Sequence, residues 1–257
     1  MQLSASLLLA FCALGLQGAV GTPILEGPVD IGALDLGPKD DNTTELVARQ
    51  PPPPGSTNAN PIIAELDLDG TKMNMLPFEA DCYAILCLKA PDVLQRVVGK
   101  VINRNRRTSG VCKSPFKRGK AKYKLDKLLP PTHNTWGTFD SPEEYPFASS
   151  EQGGTNAYLF PVSLASQNSQ GGTLNGLLSK YDIKAYDPAK QGTPGATDRT
   201  WYKIEYKGKL GPYCTALMAK DTSVCNKNFD GKGDWGFDVA DQAYKYNKGD
   251  YQRIPRV

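Results

Sequence analysis

The chain has 257 residues, of which 22% are charged and 40% are hydrophobic. Its 30 Lys and Arg residues nearly balance its 27 Asp and Glu residues, and the net charge of +3 excludes an acidic disordered tail protein and a histone-like polycation. The 25 Gly and 20 Pro residues are too few for a low-complexity chain, so an ordinary globular domain is expected.

The N-terminal residues have the features of a secretory leader. Residues 7–16 are apolar, and the small residues Ala19 and Gly21 follow them. The apolar run is too short to span a bilayer, although no Lys or Arg precedes it. We therefore predict a signal peptide over residues 1–21 and a secreted, extracellular protein without a membrane segment.

A Pro-rich segment follows the leader. Residues 22–60 contain four consecutive prolines at 51–54 and little apolar periodicity, which predicts a disordered linker or pro-segment. The globular domain is then predicted over residues 61–257.

Short elements of both kinds are expected in this domain. Residues 62–68 alternate apolar and acidic side chains, as a half-buried strand does. Pro91 suits a first helical turn, whereas Pro161 suits an edge strand or a bulge. The pair Gly171-Gly172 indicates a break before an amphipathic pattern. We predict strands over residues 62–68, 158–164 and 201–206, and helices over residues 90–101 and 173–181. The fold class is therefore α+β, in a single compact domain.

The cysteines predict a disulfide framework. With Cys12 in the leader, five cysteines remain in the secreted form, so one stays free or pairs with another chain. Cys214 and Cys225 are close in sequence and are expected to form a local disulfide, and Cys112 is expected to pair with Cys82 or Cys87. We expect a monomer, unless the unpaired cysteine links two chains in a disulfide dimer.

Positive charge is concentrated in one segment. Residues 96–127 hold twelve basic residues and a single acid, Asp126. Such a segment attracts a polyanion, because each neutralised phosphate releases condensed counterions. The expected partner is DNA, with RNA also open. Charge alone equally allows an anionic polysaccharide, a membrane surface, or a solvated face that binds nothing specific.

Four ordered motifs resemble one known family. They are DCYAILC at 81–87, NRRTSGVC at 105–112, EEYPFASSEQGG at 143–154 and VSLASQNSQGGTL at 162–174. Together they resemble the NucA/NucB family of secreted deoxyribonucleases, and in particular its fungal-type members. The resemblance implies a compact core over about residues 81–185, with a metal-site loop and helix, and a variable C-terminal extension over residues 186–257.

The resemblance also implies a chemistry and its residues. It implies an endonuclease that depends on a divalent metal ion (Mg, Mn, Ni or Ca) and cleaves DNA with little sequence preference. Glu143 and Glu144 would share metal coordination and general-base catalysis, and Gln167 and Asn168 would add neutral metal ligands. His133 is an alternative base. The expected contacts to phosphate or DNA are Gln170, Gly171, Gly172, Arg106, Arg107, Lys117, Arg118, Lys120 and Lys122, aided by the N-terminus of the helix at residues 173–181.

Several residues depart from the family pattern. Pro142 replaces the family's cysteine before the acid pair, and Glu143 replaces its aspartate. Gln152 stands where many members have Glu, and Ser166-Gln167 stands where an acid-Asn pair is common. These departures leave two alternatives open: a catalytically impaired effector or toxin that binds nucleic acid, and a binder of anionic polysaccharide.

Overall fold

The computed structural model describes residues 52–69, 75–117, 137–190, 199–227, 229 and 236–257. Its helices are α1 (Met75–Leu86), α2 (Gly99–Thr108), α3 (Leu164–Lys180) and α4 (Pro212–Ala219). Its strands are β1 (Ile62–Leu68), β2 (Val93–Gln95), β3 (Ser141–Tyr145), β4 (Tyr158–Val162), β5 (Trp201–Gly208), β6 (Tyr244–Asn247) and β7 (Asp250–Arg253). The mixture of helices and two sheets confirms the α+β class.

The first sheet has the strand order β1-β5-β2. β1 and β5 are parallel, and β2 is antiparallel to β5. Along β1 the apolar side chains are buried and the acidic ones are exposed, which confirms the predicted strand. The predicted strand at residues 201–206 is confirmed as well, and it lies at the centre of this sheet.

The second sheet is antiparallel, with the order β3-β4-β6-β7. β4 pairs with β3 along its whole length but with β6 only at Tyr158 and Leu159, so Pro161 lies where β4 has one neighbour. α3 begins two residues after β4 ends, and Ser163 caps it by accepting a hydrogen bond from the Ser166 N–H. β3, β4 and α3 therefore form one continuous unit, and α1 contacts all three.

One local prediction is wrong, and a second has the wrong starting residue. The predicted helix at residues 90–101 is instead strand β2 followed by helix α2. The reason is tertiary, because β2 pairs with β5 from far along the chain. The predicted helix at residues 173–181 begins earlier, at Leu164. Gly171 and Gly172 do not interrupt it, since a helix tolerates isolated glycines at a moderate loss of stability.

The disulfides differ from the predicted ones. Cys82 in α1 is bonded to Cys214 in α4, and Cys87 is bonded to Cys225. The predicted Cys214–Cys225 bond is therefore wrong, and so is any bond from Cys112 to Cys82 or Cys87. The cause is the packing of α4 against α1, which brings together cysteines separated by more than 130 residues.

The residues after 186 complete both sheets. β5 is the central strand of the first sheet, while β6 and β7 extend the second. At the other end of the described chain, the Gly55 carbonyl accepts hydrogen bonds from the N–H groups of Thr200 and Trp201. Among the helices of the described ranges, none has the length and apolar character needed to cross a bilayer.

Candidate functional site

The acid pair Glu143 and Glu144 lies on strand β3. All five residues of β3 are buried. Because consecutive side chains of a strand point to opposite faces, Glu143 and Glu144 have different surroundings. Glu143 meets α1 and α3, whereas Glu144 meets the residue that ends α2. The two carboxyl groups therefore belong to two distinct sites.

Glu143 belongs to a buried cluster with Asp81 of α1 and Gln170 of α3. The exposed fractions of Asp81, Glu143 and Gln170 are 0%, 4% and 2%. The Gln170 amide donates a hydrogen bond to Asp81 Oδ2 at 3.0 Å, and Gln170 also hydrogen-bonds to Glu143. One amide side chain thus joins carboxyl groups from two different elements.

The electrostatics of this cluster follow from its burial. Loss of solvation and, second, the nearby charge of Glu144 raise the pKa of Glu143 to about 8, against hydrogen bonds from Gln170 and Gln167 that lower it. Loss of solvation, followed by the charge of Glu143, raises the pKa of Asp81 well above its ordinary value. A cation placed between these groups would oppose both effects.

Gln167 fixes the start of α3 to β3. Its amide nitrogen donates to the Pro142 carbonyl at 2.6 Å, and its amide oxygen accepts a hydrogen bond from the Ser141 hydroxyl. Asn168, the next residue, is exposed on α3. The first turns of α3 thus offer one amide next to Glu143 and another at the surface.

The expected break at Gly171-Gly172 is absent, because residues 167–172 are all within helix α3. In a helix interior the backbone N–H groups bond to preceding carbonyls. Gly171 and Gly172 therefore form no phosphate-binding loop, and the N-terminus of α3 lies at Leu164 instead of Thr173. Contact between these glycines and DNA stays a prediction.

Glu144 connects β3 to the end of α2. The Ser109 hydroxyl donates to Glu144 Oε2 at 2.6 Å. Burial raises the pKa of Glu144 to about 7, and this effect is opposed by the Ser109 hydrogen bond and by the charge of Arg106. This carboxyl group therefore holds a basic helix in place against the strand that carries Glu143.

Helix α2 exposes a stripe of positive charge. Its exposed basic residues are Lys100, Arg104 and Arg107. Their spacing of four and three residues places them on one face. Arg104 lies 3.9 Å from Glu151 in an exposed ion pair, and such a pair is weak. Lys113 is also exposed, and Lys117 and Arg106 are half-buried.

The remaining predicted residues, His133, Arg118, Lys120 and Lys122, lie outside the described residues. Ser114 and Asp140, which precede and follow these residues in the chain, are in contact, because the Ser114 hydroxyl donates to the Asp140 carbonyl at 2.9 Å. Asp140 directly precedes β3, so this hydrogen bond places the Ser114 side chain beside the start of β3.

The donor set fits a hard divalent cation. Over the described ranges, no three His, Cys, Asp or Glu side chains are grouped as a metal would require. Two carboxyl groups and the amides of α3 nevertheless provide oxygen ligands, which Mg, Mn and Ca prefer. Within the same ranges, the buried Oδ1 of Asp81 has no hydrogen-bond partner. A cation at this position would satisfy that oxygen.

The site combines buried oxygen donors on a strand with a basic helix beside that strand, an arrangement that suits a phosphate polyanion. The family comparison makes this specific. Residues 81–188 match the family model described as deoxyribonuclease NucA/NucB, and this match supports a nuclease enzyme that acts on DNA. No curated protein and no solved structure matches the chain.

The sequence analysis did not assign a role to Asp81. A signal was present, because Glu79 and Asp81 are the two charged residues of the otherwise apolar or uncharged helix α1. Charged side chains are rarely buried without a partner. Two acids in an apolar helix therefore indicate positions whose side chains are needed inside the protein.

Proposed function

We propose that this protein is a secreted deoxyribonuclease that requires a divalent metal ion and cleaves DNA with little sequence preference. The observation that carries the proposal is the position of Glu143. It lies on β3, which pairs with β4, the strand that leads into α3. In the family resemblance it occupies the position of the family's acid. Its carboxyl group accepts hydrogen bonds from side-chain amides of α3.

In this proposal Glu143 binds the divalent cation at the phosphate group that is cleaved. A divalent cation held by Glu143 and by amide oxygens of α3 would supply charge stabilisation in the transition state of phosphodiester hydrolysis. Gln167 keeps the start of α3 against β3 and so fixes the distance between Glu143 and the amides. Asn168 is exposed, so in this proposal it binds the cation from the side that faces solvent.

Glu144 is assigned a positioning role. Its carboxyl group accepts from Ser109 and interacts with Arg106 on the opposite face of β3 from Glu143. It therefore acts on DNA through α2. Replacement of Glu144 is expected to weaken DNA binding more than it lowers the rate constant for cleavage.

The exposed stripe of α2 supports binding to the DNA backbone. Contacts to phosphates carry no sequence information, so an interface of this kind discriminates little between sequences. Secretion is supported by the predicted leader and by the two disulfides, which persist in oxidising compartments.

A plasmid-nicking assay tests the proposal. The purified protein is incubated with supercoiled DNA and with Mg, Mn, Ni or Ca, in the presence and absence of EDTA. We expect cleavage that EDTA abolishes, and no cleavage by Glu143→Gln, although this variant still binds DNA. Glu65→Gln, which alters an exposed acid on β1, is the control. The variant His133→Ala tests the alternative base.

Other outcomes would identify the alternatives. Binding of DNA without cleavage in any metal would identify a catalytically impaired nucleic-acid binder. If heparin displaces DNA at the same concentration of negative charge, and no cleavage is observed, the protein is a polysaccharide binder. Parallel assays with RNA decide whether the substrate class is wider than DNA.

A further inference from the structure

The two buried acids of α1, Glu79 and Asp81, differ in the hydrogen bonds that their carboxyl oxygens accept. Glu79 accepts backbone hydrogen bonds from Tyr213 at 2.8 Å and from Cys214 at 3.2 Å, at the start of α4. The chain approaches so closely that a Cβ at Gly211 would lie 2.4 Å from the Glu79 carboxyl carbon. Glu79 therefore has a structural role that accounts for its burial.

Asp81, two residues later, has no comparable set of partners. Its Oδ2 accepts one hydrogen bond from Gln170, and its Oδ1 has none from any described residue although the side chain is fully buried. Neither Asp81 nor Glu143 forms an ion pair with a described Lys or Arg. Among the described residues the two carboxyl groups therefore have no positive partner, and an unsatisfied buried oxygen costs about 1–3 kcal/mol.

A second unsatisfied group lies next to the same cluster. The Tyr206 hydroxyl is buried and has no hydrogen-bond partner among the described residues. The charges of Asp81 and Glu143 both act on this phenol. Two unsatisfied buried oxygens and a second carboxyl group therefore lie in one cluster, and its carboxyl groups are the ligands that a hard cation prefers.

We propose that Asp81 is the second carboxylate ligand of the divalent cation and replaces, from helix α1, the acid that α3 lacks in this chain. At the position of the family's acid-Asn pair, α3 has Ser166-Gln167, which removes one negative charge from the site. Asp81 restores it from another element, and Gln170 joins it to Glu143. This inference rests on the proposed metal-dependent function.

The test measures cation binding separately from cleavage. Mn²⁺ is titrated into the purified protein and followed by calorimetry and by electron paramagnetic resonance of free Mn²⁺. The variant Asp81→Asn keeps an oxygen that can accept from Gln170, so it retains the geometry and removes the charge. Glu79→Gln is the matched control, because it alters another buried acid of the same helix.

We expect Asp81→Asn to weaken Mn²⁺ binding by about 10–100-fold or more, the range seen when groups supporting a metal site are removed. Mn²⁺ should raise the Tm of the wild type and of Glu79→Gln, but not that of Asp81→Asn. In EDTA, Asp81→Asn should unfold at a temperature equal to or above that of the wild type, which shows that the variant is folded.

The outcomes separate this inference from the proposed function. If the wild type binds Mn²⁺ and cleaves DNA, and Asp81→Asn binds Mn²⁺ equally well, the role of Asp81 is refuted and the proposed function stands. If the wild type neither binds Mn²⁺ nor cleaves DNA, both are refuted.

Discussion

Burial of Glu79 makes the stability of the protein depend on pH. Loss of solvation raises the pKa of this carboxyl group from 4.5 to about 7, even though the N–H groups of Tyr213 and Cys214 lower it. As the pH rises from 4.5 to 7, the unfolded chain loses this proton while the folded protein retains it. The stabilisation is therefore fully present below pH 4.5 and is lost as the pH rises through 7.

The size of the effect follows from the two pKa values. The difference between 4.5 and about 7 corresponds to about 3 kcal/mol, at about 1.4 kcal/mol for each pH unit. Glu144 and Glu143, whose pKa values are raised to about 7 and about 8, act in the same direction. The folded protein is therefore expected to be more stable at pH 5 than at pH 8.

Urea unfolding at pH 5, 6, 7 and 8 measures this dependence, with the disulfides intact and EDTA present to exclude bound cations. Glu79→Gln cannot titrate, so it should reduce the loss of unfolding free energy between pH 5 and pH 8 by about 2.5 kcal/mol, because the unfolded chain has already lost part of this proton at pH 5. Glu65→Gln, at an exposed ion pair, should leave the wild-type dependence unchanged. A Glu79→Gln curve parallel to that of the wild type would refute this reasoning.

Three further predictions concern DNA binding and the disulfides. Ser109→Ala removes the hydrogen bond to Glu144, so it should raise the Kd for DNA in a fluorescence titration with little change in kcat. Replacement of Lys100, Arg104 and Arg107 by alanine should make the negative slope of log K against log salt less steep by about 2.7, since each phosphate contact contributes about 0.9. A charge-matched control replaces Lys203, Lys207 and Lys209. Non-reducing peptide mapping should recover Cys82–Cys214 and Cys87–Cys225 links, and a Cys214–Cys225 link would contradict the fold.

The candidate site was predictable from the order of its motifs. Glu143, Gln167 and Gln170 were selected from sequence, and the structure brings them together. Their local structure was predicted incorrectly, because prolines and paired glycines near them suggested turns. A tight connection between β4 and α3 brings the same residues together without a loop. The spacing of the motifs therefore carried more information than the local propensities did.

The long-range pairings were not predictable in the same way. Cys214 and Cys225 are near neighbours in sequence, so a local disulfide was the natural expectation. Their actual partners are set by the packing of α4 on α1, which no local pattern records. Strand β2 is three residues long and exists through its pairing with β5. Such elements are determined by tertiary contacts more than by their own sequence.

The family match ends at residue 188, yet the site depends on residues beyond it. Helix α1 supplies Asp81, and its position is fixed by disulfides to Cys214 and Cys225. Tyr206, on β5, lies next to the same carboxyl group. The matched segment thus carries the acid of β3 and the amides of α3, while the later residues close the buried side of the site. The C-terminal residues therefore belong to the same compact unit as the matched segment, because they share its sheets and are linked to it by both disulfides.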